Sequence, residues 1–354
     1  MAPEITQHIW GFTPEGEAVV LYTMTNAGGA SVGLTNIGAA ITSISVPDRD
    51  GRLADVALGY EAFDSYFNDG PAMGKIVGRY GNRIANGAFT LDGTEYRLAR
   101  NNGPNHLHGG PRGFGNRIWA SRVETDRVVF SLTSPDGDER YPGELGCEVV
   151  YDWDDDCRLE ITLFARSDAP TIVNLTNHAY FNLAGEGSGT VLGHTLQLNA
   201  SHYLATDPTL IPTGALVPVA GTPLDFTAAK PLGRDIDTDC EALRYGNGYD
   251  QCFAVDGWQP GQVAEVGTLA DPVSGRRMTI LSSQPGLQLY TGNYLQGCPS
   301  GKHGHDYRNR DGVALECQGF PDAPNHPDFP SQVLRPGETY VQKIVYRFDT
   351  TDPA

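Results

Sequence analysis

The stretch Arg158-Leu-Glu-Ile-Thr-Leu163 alternates apolar and polar side chains along its whole length. In an extended chain, this spacing places Leu159, Ile161 and Leu163 on one face and the polar residues on the other. Residues 343–348 repeat the pattern, with an apolar side chain at every second position. The alternation predicts half-buried strands of an antiparallel sheet.

Further short strands are predicted at 128–132, 195–198 and 278–281, and signals for tight turns separate the apolar runs. The turn signals are Pro47-Asp-Arg-Asp-Gly51, Leu91-Asp-Gly93, Pro135-Asp-Gly137, Asp271-Pro-Val-Ser-Gly275 and Arg335-Pro-Gly337. Helical patterns are confined to one short segment at 61–67 and another at 228–235. Many short strands with frequent turns indicate an all-β sandwich or barrel.

Length and composition point to one large domain. The chain has 354 residues, and its 43 glycines and 24 prolines disfavour a mostly helical protein because both residues interrupt helices. Length alone suggests two or three domains at about 150 residues each. We find neither a linker rich in glycine and serine nor an internal repeat, and therefore predict a single domain over residues 1–354.

The charge balance limits the class of partner. Lysine and arginine number 25 and aspartate and glutamate number 43, which gives a net charge of −18. Such an acidic chain repels phosphate backbones, so we expect no nucleic-acid partner. No run approaches the ~18 apolar residues of a membrane span, and residues 1–20 do not read as a secretory signal. The six cysteines form no CxxC pair, which favours free thiols and a cytoplasmic, soluble protein.

Two His-x-His pairs invite a metal interpretation. His106 and His108 form one pair, and His303 and His305 form the other. Alternate residues of a strand point to the same face, which is how some metal sites in β-proteins are built. No further ligand follows at metal-site spacing, so the alternative is that His106 and His303 are exposed loop residues.

Glu316 is the least expected residue in its surroundings, because it lies within the otherwise apolar strand Gly312-Val-Ala-Leu-Glu-Cys-Gln318. A carboxylate there either faces solvent or is half-buried with a raised pKa, as in a general base. Arg79 and Arg83 occur in a glycine-rich segment, where surface ion pairs are the ordinary expectation. Asp250 precedes an apolar strand and by itself reads as a turn residue. The chain has no phosphate-binding loop and no nucleophile elbow.

With these residues in view, the sequence resembles the aldose 1-epimerase (galactose mutarotase) family. The matching segments are Val46-Pro-Asp-Arg-Asp-Gly51, Gly78-Arg-Tyr-Gly-Asn-Arg-Ile-Ala85, Leu107-His-Gly-Gly110, Asn174-Leu-Thr-Asn-His-Ala-Tyr-Phe-Asn-Leu183, Gln284-Pro-Gly-Leu-Gln-Leu-Tyr-Thr-Gly-Asn293, Leu315-Glu-Cys-Gln318, Phe329-Pro330 and Leu334-Arg-Pro-Gly337. The segments follow the family's order and span nearly the whole chain. The resemblance implies an all-β fold, a large antiparallel β-supersandwich with few short helices.

The resemblance also implies roles for individual residues. Glu316 matches the general base that takes the proton of the anomeric hydroxyl, His178 the general acid at the ring oxygen, and His108 a second histidine that hydrogen-bonds the sugar. The positions that match the family's substrate-binding residues are Arg83, Asn82, Asp250 and Gln288. The family uses no metal and no cofactor. Tyr80-Gly81 departs from the small apolar pair expected in the arginine motif, which bears on packing behind Arg83 and on sugar preference.

These implications predict an enzyme that interconverts the α and β anomers of free aldoses such as galactose and glucose, acting as a monomer or weak homodimer. One alternative is an epimerase of hexose 6-phosphates, with Arg79 and Arg112 as candidate phosphate ligands. Another is a non-catalytic sugar-binding module, which has no need of an acid and a base together. A glycoside hydrolase requires two placed carboxylates, and only Glu316 is suitably placed.

Overall fold

The computed structural model describes residues 2–67 and 69–351 of the chain. The described residues form 28 strands, one short α-helix and six 3₁₀ turns, so the prediction of an all-β fold with few short helices is confirmed. The predicted single domain 1–354 also includes residues 1, 68 and 352–354, which lie outside the described residues, and its extent stays a prediction.

The elements follow in chain order. The first strands are β1 (Glu4–Phe12), β2 (Ala18–Thr25), β3 (Ser31–Thr35), β4 (Ala40–Pro47), β5 (Leu53–Asp55), β6 (Ile76–Val77), β7 (Arg83–Ile84), β8 (Ala88–Leu91), β9 (Thr94–Arg97), β10 (His106–Leu107), β11 (Ala120–Glu124), β12 (Arg127–Ser134), β13 (Leu145–Trp153) and β14 (Arg158–Ser167). The remaining strands are β15 (Thr171–Ile172), β16 (Thr176–Asn177), β17 (Tyr180–Phe181), β18 (Thr195–Leu198), β19 (His202–Thr206), β20 (Pro212–Pro218), β21 (Lys230–Pro231), β22 (Asp250–Ala254), β23 (Ala264–Ala270), β24 (Arg276–Ser282), β25 (Gly286–Tyr290), β26 (Val313–Gln318), β27 (Val333–Leu334) and β28 (Tyr340–Thr350). The helix α1 covers Glu241–Gly246, and the 3₁₀ turns are Phe63–Tyr66, Ala85–Gly87, Phe114–Asn116, Asp138–Arg140, Lys302–Gly304 and Ala323–Asn325.

Three sheets carry the architecture. The largest has nine strands in the order β11-β12-β13-β14-β28-β24-β23-β18-β21. A six-stranded sheet has the order β17-β26-β25-β22-β19-β20, and a five-stranded sheet runs β1 to β5. The main apolar core draws side chains from all three sheets, which makes the fold a layered sandwich of sheets.

The alternation in the sequence is reproduced at the centre of the nine-stranded sheet. β14 and β28 pair antiparallel, with Leu159 opposite Tyr346 and Ile161 opposite Ile344. These four side chains are fully buried in the core. The strands predicted at 128–132, 195–198 and 278–281 are present as β12, β18 and β24.

Neither of the two predicted helical segments forms an α-helix. Segment 61–67 contains one 3₁₀ turn, Phe63–Tyr66. The expectation of a helix at 228–235 is wrong, because Lys230 and Pro231 form the edge strand β21 and Lys230 is tied to Asp235 by an ion pair of 2.8 Å. Helix α1 was not predicted from the sequence. It has only six residues, too few to show a helical period, and it ends where Asn247 adopts the left-handed conformation.

The six-stranded sheet places polar side chains together on one face. Asp250 of β22 lies opposite Tyr290 of β25. Gln288 of β25 lies opposite Glu316 of β26. Because partners across a ladder point to the same side, these four side chains share one face.

Two further sequence predictions are tested by the fold. All six cysteines are free thiols, as predicted. Within residues 2–67 and 69–351, no helix combines the length and the apolar character that crossing a bilayer requires.

Candidate active site

A cavity of about 480 Å³ opens over the polar face of the six-stranded sheet. Six of the seven residues that the sequence analysis selected line it, namely Asn82, Arg83, His108, His178, Asp250 and Glu316. The seventh, Gln288, lies beside the cavity and donates a hydrogen bond to the Asp250 carboxylate. Residues that are distant in sequence therefore converge on one pocket.

Glu316 lines this pocket from a strand whose six residues are all buried. The residue is 2% exposed, so it is more deeply buried than either sequence-based expectation. Its Oε2 atom has no hydrogen-bond partner among the described residues. Burial raises the pKa of Glu316 well above its usual value; the Asp250 carboxylate adds to this shift and the Arg83 guanidinium opposes it.

His178 stands next to Glu316, directly after strand β16. Its backbone N–H donates to the Lys75 carbonyl at 2.8 Å, and its carbonyl accepts from the N–H of Gly74 at 3.0 Å. The Nε2 atom is 3.4 Å from Oε1 of Glu316. Burial lowers the pKa of His178 to about 4. Histidine and carboxyl thus form a buried pair whose members both favour the neutral form.

His108 is held by its neighbour Asn82. Both residues adopt the left-handed backbone conformation, with φ of 51° and 63°. Nδ1 of His108 accepts a hydrogen bond of 3.1 Å from the Asn82 N–H, so in the neutral ring the proton resides on Nε2. The His108 and His178 rings meet edge to face with centroids 5.2 Å apart. Burial, followed by the charges of His178 and Arg83, lowers the pKa of His108 well below its usual value.

Arg83, Asp250 and Gln288 form a hydrogen-bonding group beside Glu316. Arg83 Nη2 is 3.7 Å from Oδ2 of Asp250. Gln288 Nε2 donates to Oδ1 of Asp250 at 2.6 Å. Arg83 Nε donates to the side chain of Asn102 at 3.1 Å. Burial raises the pKa of Asp250, although the Arg83 guanidinium and the Gln288 amide oppose the shift. Arg83 and Asp250 present a cation and an anion to the pocket, and the Gln288 amide beside the cavity holds the carboxylate in place.

The metal alternative concerns the same residues. Potential ligand atoms of His108, His178 and Glu316 lie within 4.8 Å of one another. A metal bound to Nε2 of His108 would require the ring proton on Nδ1, where it would face the N–H of Asn82. The arrangement therefore suits hydrogen bonding better than metal coordination. The predicted absence of metal and cofactor stays a prediction.

Two sequence expectations about basic residues are wrong. His106 was expected in an exposed loop, but it is fully buried, and its ring nitrogens contact the Ala99 carbonyl at 2.7 Å and the Tyr141 hydroxyl at 2.6 Å. His303, in contrast, is exposed as expected. Arg79 was expected in a surface ion pair, but it is 1% exposed, and it donates to the carbonyls of Pro142 and Gly143, each at 2.9 Å.

The candidate phosphate ligands do not reach the pocket. The Arg79 guanidinium is engaged by the segments 134–135 and 142–143. Arg112 lines a separate surface groove with Phe12 and Phe63. Neither arginine lines the cavity over the six-stranded sheet.

Tyr80, at the departure from the family pattern, supports the site from behind. It is fully buried, and its hydroxyl donates to the Phe320 carbonyl at 3.1 Å and accepts from the Ala323 N–H at 3.2 Å. The N–H of Asp322, between those two residues, donates to the Arg83 carbonyl at 2.8 Å. The tyrosine thus connects to the backbone of Arg83 through segment 320–323.

The cavity also includes residues that sequence reasoning missed. Tyr290 follows Gln288 by two positions, so strand periodicity was a usable signal for it. Asp69 and Cys298 lie in loops and carried no such signal. Of the two aromatic residues considered for sugar packing, Tyr180 lines the cavity. Phe181 points to the opposite side of the sheet, with its ring centroid 4.9 Å from that of Tyr346.

Comparison with known proteins agrees with this arrangement. A family model described as aldose 1-epimerase matches residues 20–347. Galactose mutarotase from Bos taurus is 40% identical over 344 residues, which cover 97% of this chain and 98% of the relative. Aldose 1-epimerase from Escherichia coli K12 is 39% identical, with coverage of 95% and 96%.

Solved structures share the fold. An aldose epimerase homologue from C. elegans superposes with a TM-score of 0.85 at 32% identity, covering 99% of this chain and 100% of the other. Galactose 1-epimerase from Lactobacillus acidophilus gives 0.86 at 26% identity, with the same coverage. The predicted galactose mutarotase-like sandwich is therefore confirmed, and the chain belongs to the aldose 1-epimerase family.

Proposed function

We propose that this protein is an aldose 1-epimerase that interconverts the α and β anomers of free aldoses such as galactose and glucose. Glu316 acts as the base toward the anomeric hydroxyl and His178 as the acid toward the ring oxygen. The observation that carries the proposal is the buried contact of 3.4 Å between His178 Nε2 and Glu316 Oε1, in a pocket lined by polar side chains.

The chemistry of anomer exchange needs an acid and a base. Opening a pyranose breaks the bond between C1 and the ring oxygen, while O1 loses a proton and the ring oxygen gains one. The C1–C2 bond of the open aldehyde then rotates, and the ring closes on the other carbonyl face with both proton transfers reversed. A positioned acid and a positioned base each contribute roughly 10²–10⁴-fold to such a step.

The pKa directions give the pair one mobile proton over a wide pH range. Burial lowers the pKa of His178 to about 4 and raises that of Glu316 well above its usual value. Between these two values the pair retains a single proton, because a second one is bound only at lower pH and the last one is lost only at higher pH. With both members neutral this proton lies on Glu316, and its transfer to Nε2 of His178 across the contact of 3.4 Å gives the carboxylate base and the imidazolium acid that the two roles require.

The remaining residues suit a ligand that offers only hydroxyl groups. His108 presents Nε2–H as a donor, since its Nδ1 accepts from Asn82. Arg83 supplies a donor, Asp250 an acceptor, and the Oε1 atom of Gln288 is a buried acceptor without a hydrogen-bond partner among the described residues. Directional hydrogen bonds of this kind orient a neutral sugar.

The proposal includes a neutral monosaccharide as substrate, a cytoplasmic location, a monomer or weak homodimer, and neither cofactor nor nucleic acid as partner. Hexose 6-phosphates are disfavoured because Arg79 and Arg112 do not line the cavity. A purely sugar-binding role is disfavoured because a buried acid and base in contact serve no need of simple binding.

Polarimetry tests the activity directly. Freshly dissolved α-D-galactose and α-D-glucose should approach their equilibrium rotation faster in proportion to enzyme concentration, and the corresponding 6-phosphates should respond far less. Absence of any acceleration over the spontaneous rate would refute the proposed function.

A further inference from the structure

A buried ion pair borders the same cavity and is not used by the mechanism above. Asp69 lines the cavity and lies 2.6 Å, Oδ1 to Nζ, from Lys75. The side chains of Asp69 and Lys75 are 2% and 1% exposed. Burying two charges is costly unless each is well satisfied by hydrogen bonds. We therefore expect further hydrogen bonds to both members of the pair.

Three donors from the part of the chain that the structure describes hold the Asp69 carboxylate. Oδ1 accepts from Lys75 Nζ, and Oδ2 accepts from the Tyr60 hydroxyl at 3.1 Å and from the Met73 N–H at 2.8 Å. An ionised carboxylate offers about four acceptor positions. The donors named occupy two positions on Oδ2 and one on Oδ1, so among the described residues a second position on Oδ1 has no donor and can accept from a hydroxyl group of a ligand in the cavity.

The loop that carries Asp69 is attached to His178. The Lys75 carbonyl accepts from the His178 N–H, and the Gly74 N–H donates to the His178 carbonyl. These two backbone hydrogen bonds place the loop of Asp69 beside His178, whereas Asp250 belongs to strand β22 and contacts Arg83.

The chemistry of the ring then decides which hydroxyl Asp69 faces. The ring oxygen is bonded only to C1 and C5. With His178 at the ring oxygen and Glu316 at the hydroxyl on C1, the side of His178 away from Glu316 faces C5 and its substituent, the C6 hydroxymethyl group. A carboxylate at this place accepts a hydrogen bond from the C6 hydroxyl and repels a phosphate there.

We propose that Asp69 is a specificity-determining residue that accepts a hydrogen bond from the C6 hydroxyl of a hexose, and that Lys75 is the positioning residue that holds Asp69. This inference rests on the proposed function, because it takes the orientation of the sugar from the roles of His178 and Glu316. It predicts that hexoses with a free C6 hydroxyl are preferred over sugars that lack this group.

The test compares D-galactose with 6-deoxy-D-galactose, which differs only at C6. For the wild type, kcat/KM should be about tenfold higher with D-galactose, since a site that hydrogen-bonds a hydroxyl discriminates against the analogue that lacks it. In the double variant Asp69→Leu, Lys75→Met, which has no hydrogen-bonding group at position 69, this ratio should fall to between one and two. Replacing both residues avoids leaving an unpaired buried lysine.

The ratio separates recognition from structure, because a merely structural role lowers kcat/KM for both sugars by one common factor. The matched control is Lys230→Met, Asp235→Asn, which removes a buried lysine of another ion pair away from the cavity and should leave the ratio unchanged. An unchanged ratio in the Asp69 variant would overturn the inference. Equal kcat/KM for the two sugars in the wild type would also overturn it, whether or not the variant folds. Failure of the proposed function appears separately, as a wild type that accelerates neither sugar.

Discussion

The contact between His178 and Glu316 makes a quantitative prediction about their joint removal. In Glu316→Gln the base is lost and in His178→Asn the acid is lost, and each change preserves much of the side chain's volume. We expect each single variant to lose roughly 10²–10⁴ in kcat/KM, the usual contribution of one acid or base. This corresponds to about 3–5 kcal/mol of transition-state stabilisation for each residue.

The double variant should lose far less than the product of the two single effects. In the charged form of the pair that the reaction uses, the carboxylate and the imidazolium are 3.4 Å apart and attract each other by about 5 kcal/mol at an effective dielectric constant of about 20. That coupling is as large as either single effect, so once one partner is gone, most of what the other contributes is gone as well. We therefore expect the kcat/KM of the double variant to be within about tenfold of that of the less active single variant. Independent action of the two residues would instead lower kcat/KM by roughly 10⁴–10⁸.

The assay is polarimetry of α-D-galactose with the spontaneous rate subtracted, and circular dichroism establishes that each variant is folded. His303→Asn serves as the control, because His303 is exposed and does not line the cavity. The reasoning is refuted if both single variants keep near wild-type rates while folded. It is also refuted if the double variant loses the full product of the single effects.

Three further predictions follow from burial and charge. The kcat/KM for galactose should fall below about pH 4, where the pair of His178 and Glu316 takes up a second proton, and again above the raised pKa of Glu316, where the pair loses its last one. Polarimetric rates that stay unchanged when the pH is lowered from about 6 to below about 4 would contradict this. Glu316→Gln should raise Tm in a thermal-shift assay, and the increase over the wild type should become larger above about pH 4.5. The reason is that the raised pKa of Glu316 makes the folded wild type lose stability as the pH rises. An increase that becomes smaller with rising pH would contradict the raised pKa. Arg79→Met should lower the free energy of unfolding in urea by about 3 kcal/mol or more, because the carbonyls of Pro142 and Gly143 lose their donor. The kcat/KM per folded molecule should stay within about twofold of the wild type. An unchanged unfolding midpoint would show that Arg79 does not hold these segments.

The fold was predictable because its signals are local. Alternation at Leu159, Ile161 and Leu163 needs only neighbouring residues, and each of these side chains is fully buried in the structure. The prediction of a helix at 228–235 was wrong because the structure of this segment depends on distant residues. Its fate depends on the pairing of Lys230 with Leu196, a strand partner that lies far away in the chain.

The site was predictable where a residue conflicts with its own surroundings. Glu316 stands out in an apolar strand, and the structure places it in the lining of the cavity. Arg79 and His106 show no such conflict, since their burial is determined by segments 134–143 that fold over them. Asp69 and Lys75 are only six residues apart, but their spacing does not predict that a loop brings them together as an ion pair beside the sugar pocket.

The register of the six-stranded sheet has a consequence for how the active site forms during folding. Gln288 faces Glu316 across one ladder, Tyr180 pairs with Ala314 across another, and His178 comes from a distant part of the chain. The pocket therefore does not exist in any fragment or early intermediate with local structure alone. Non-local pairings of this kind form slowly, because the entropy cost of closing a long chain loop comes before the stabilising contacts are made. Recovery of anomer exchange after dilution from denaturant consequently requires that these distant strands have paired.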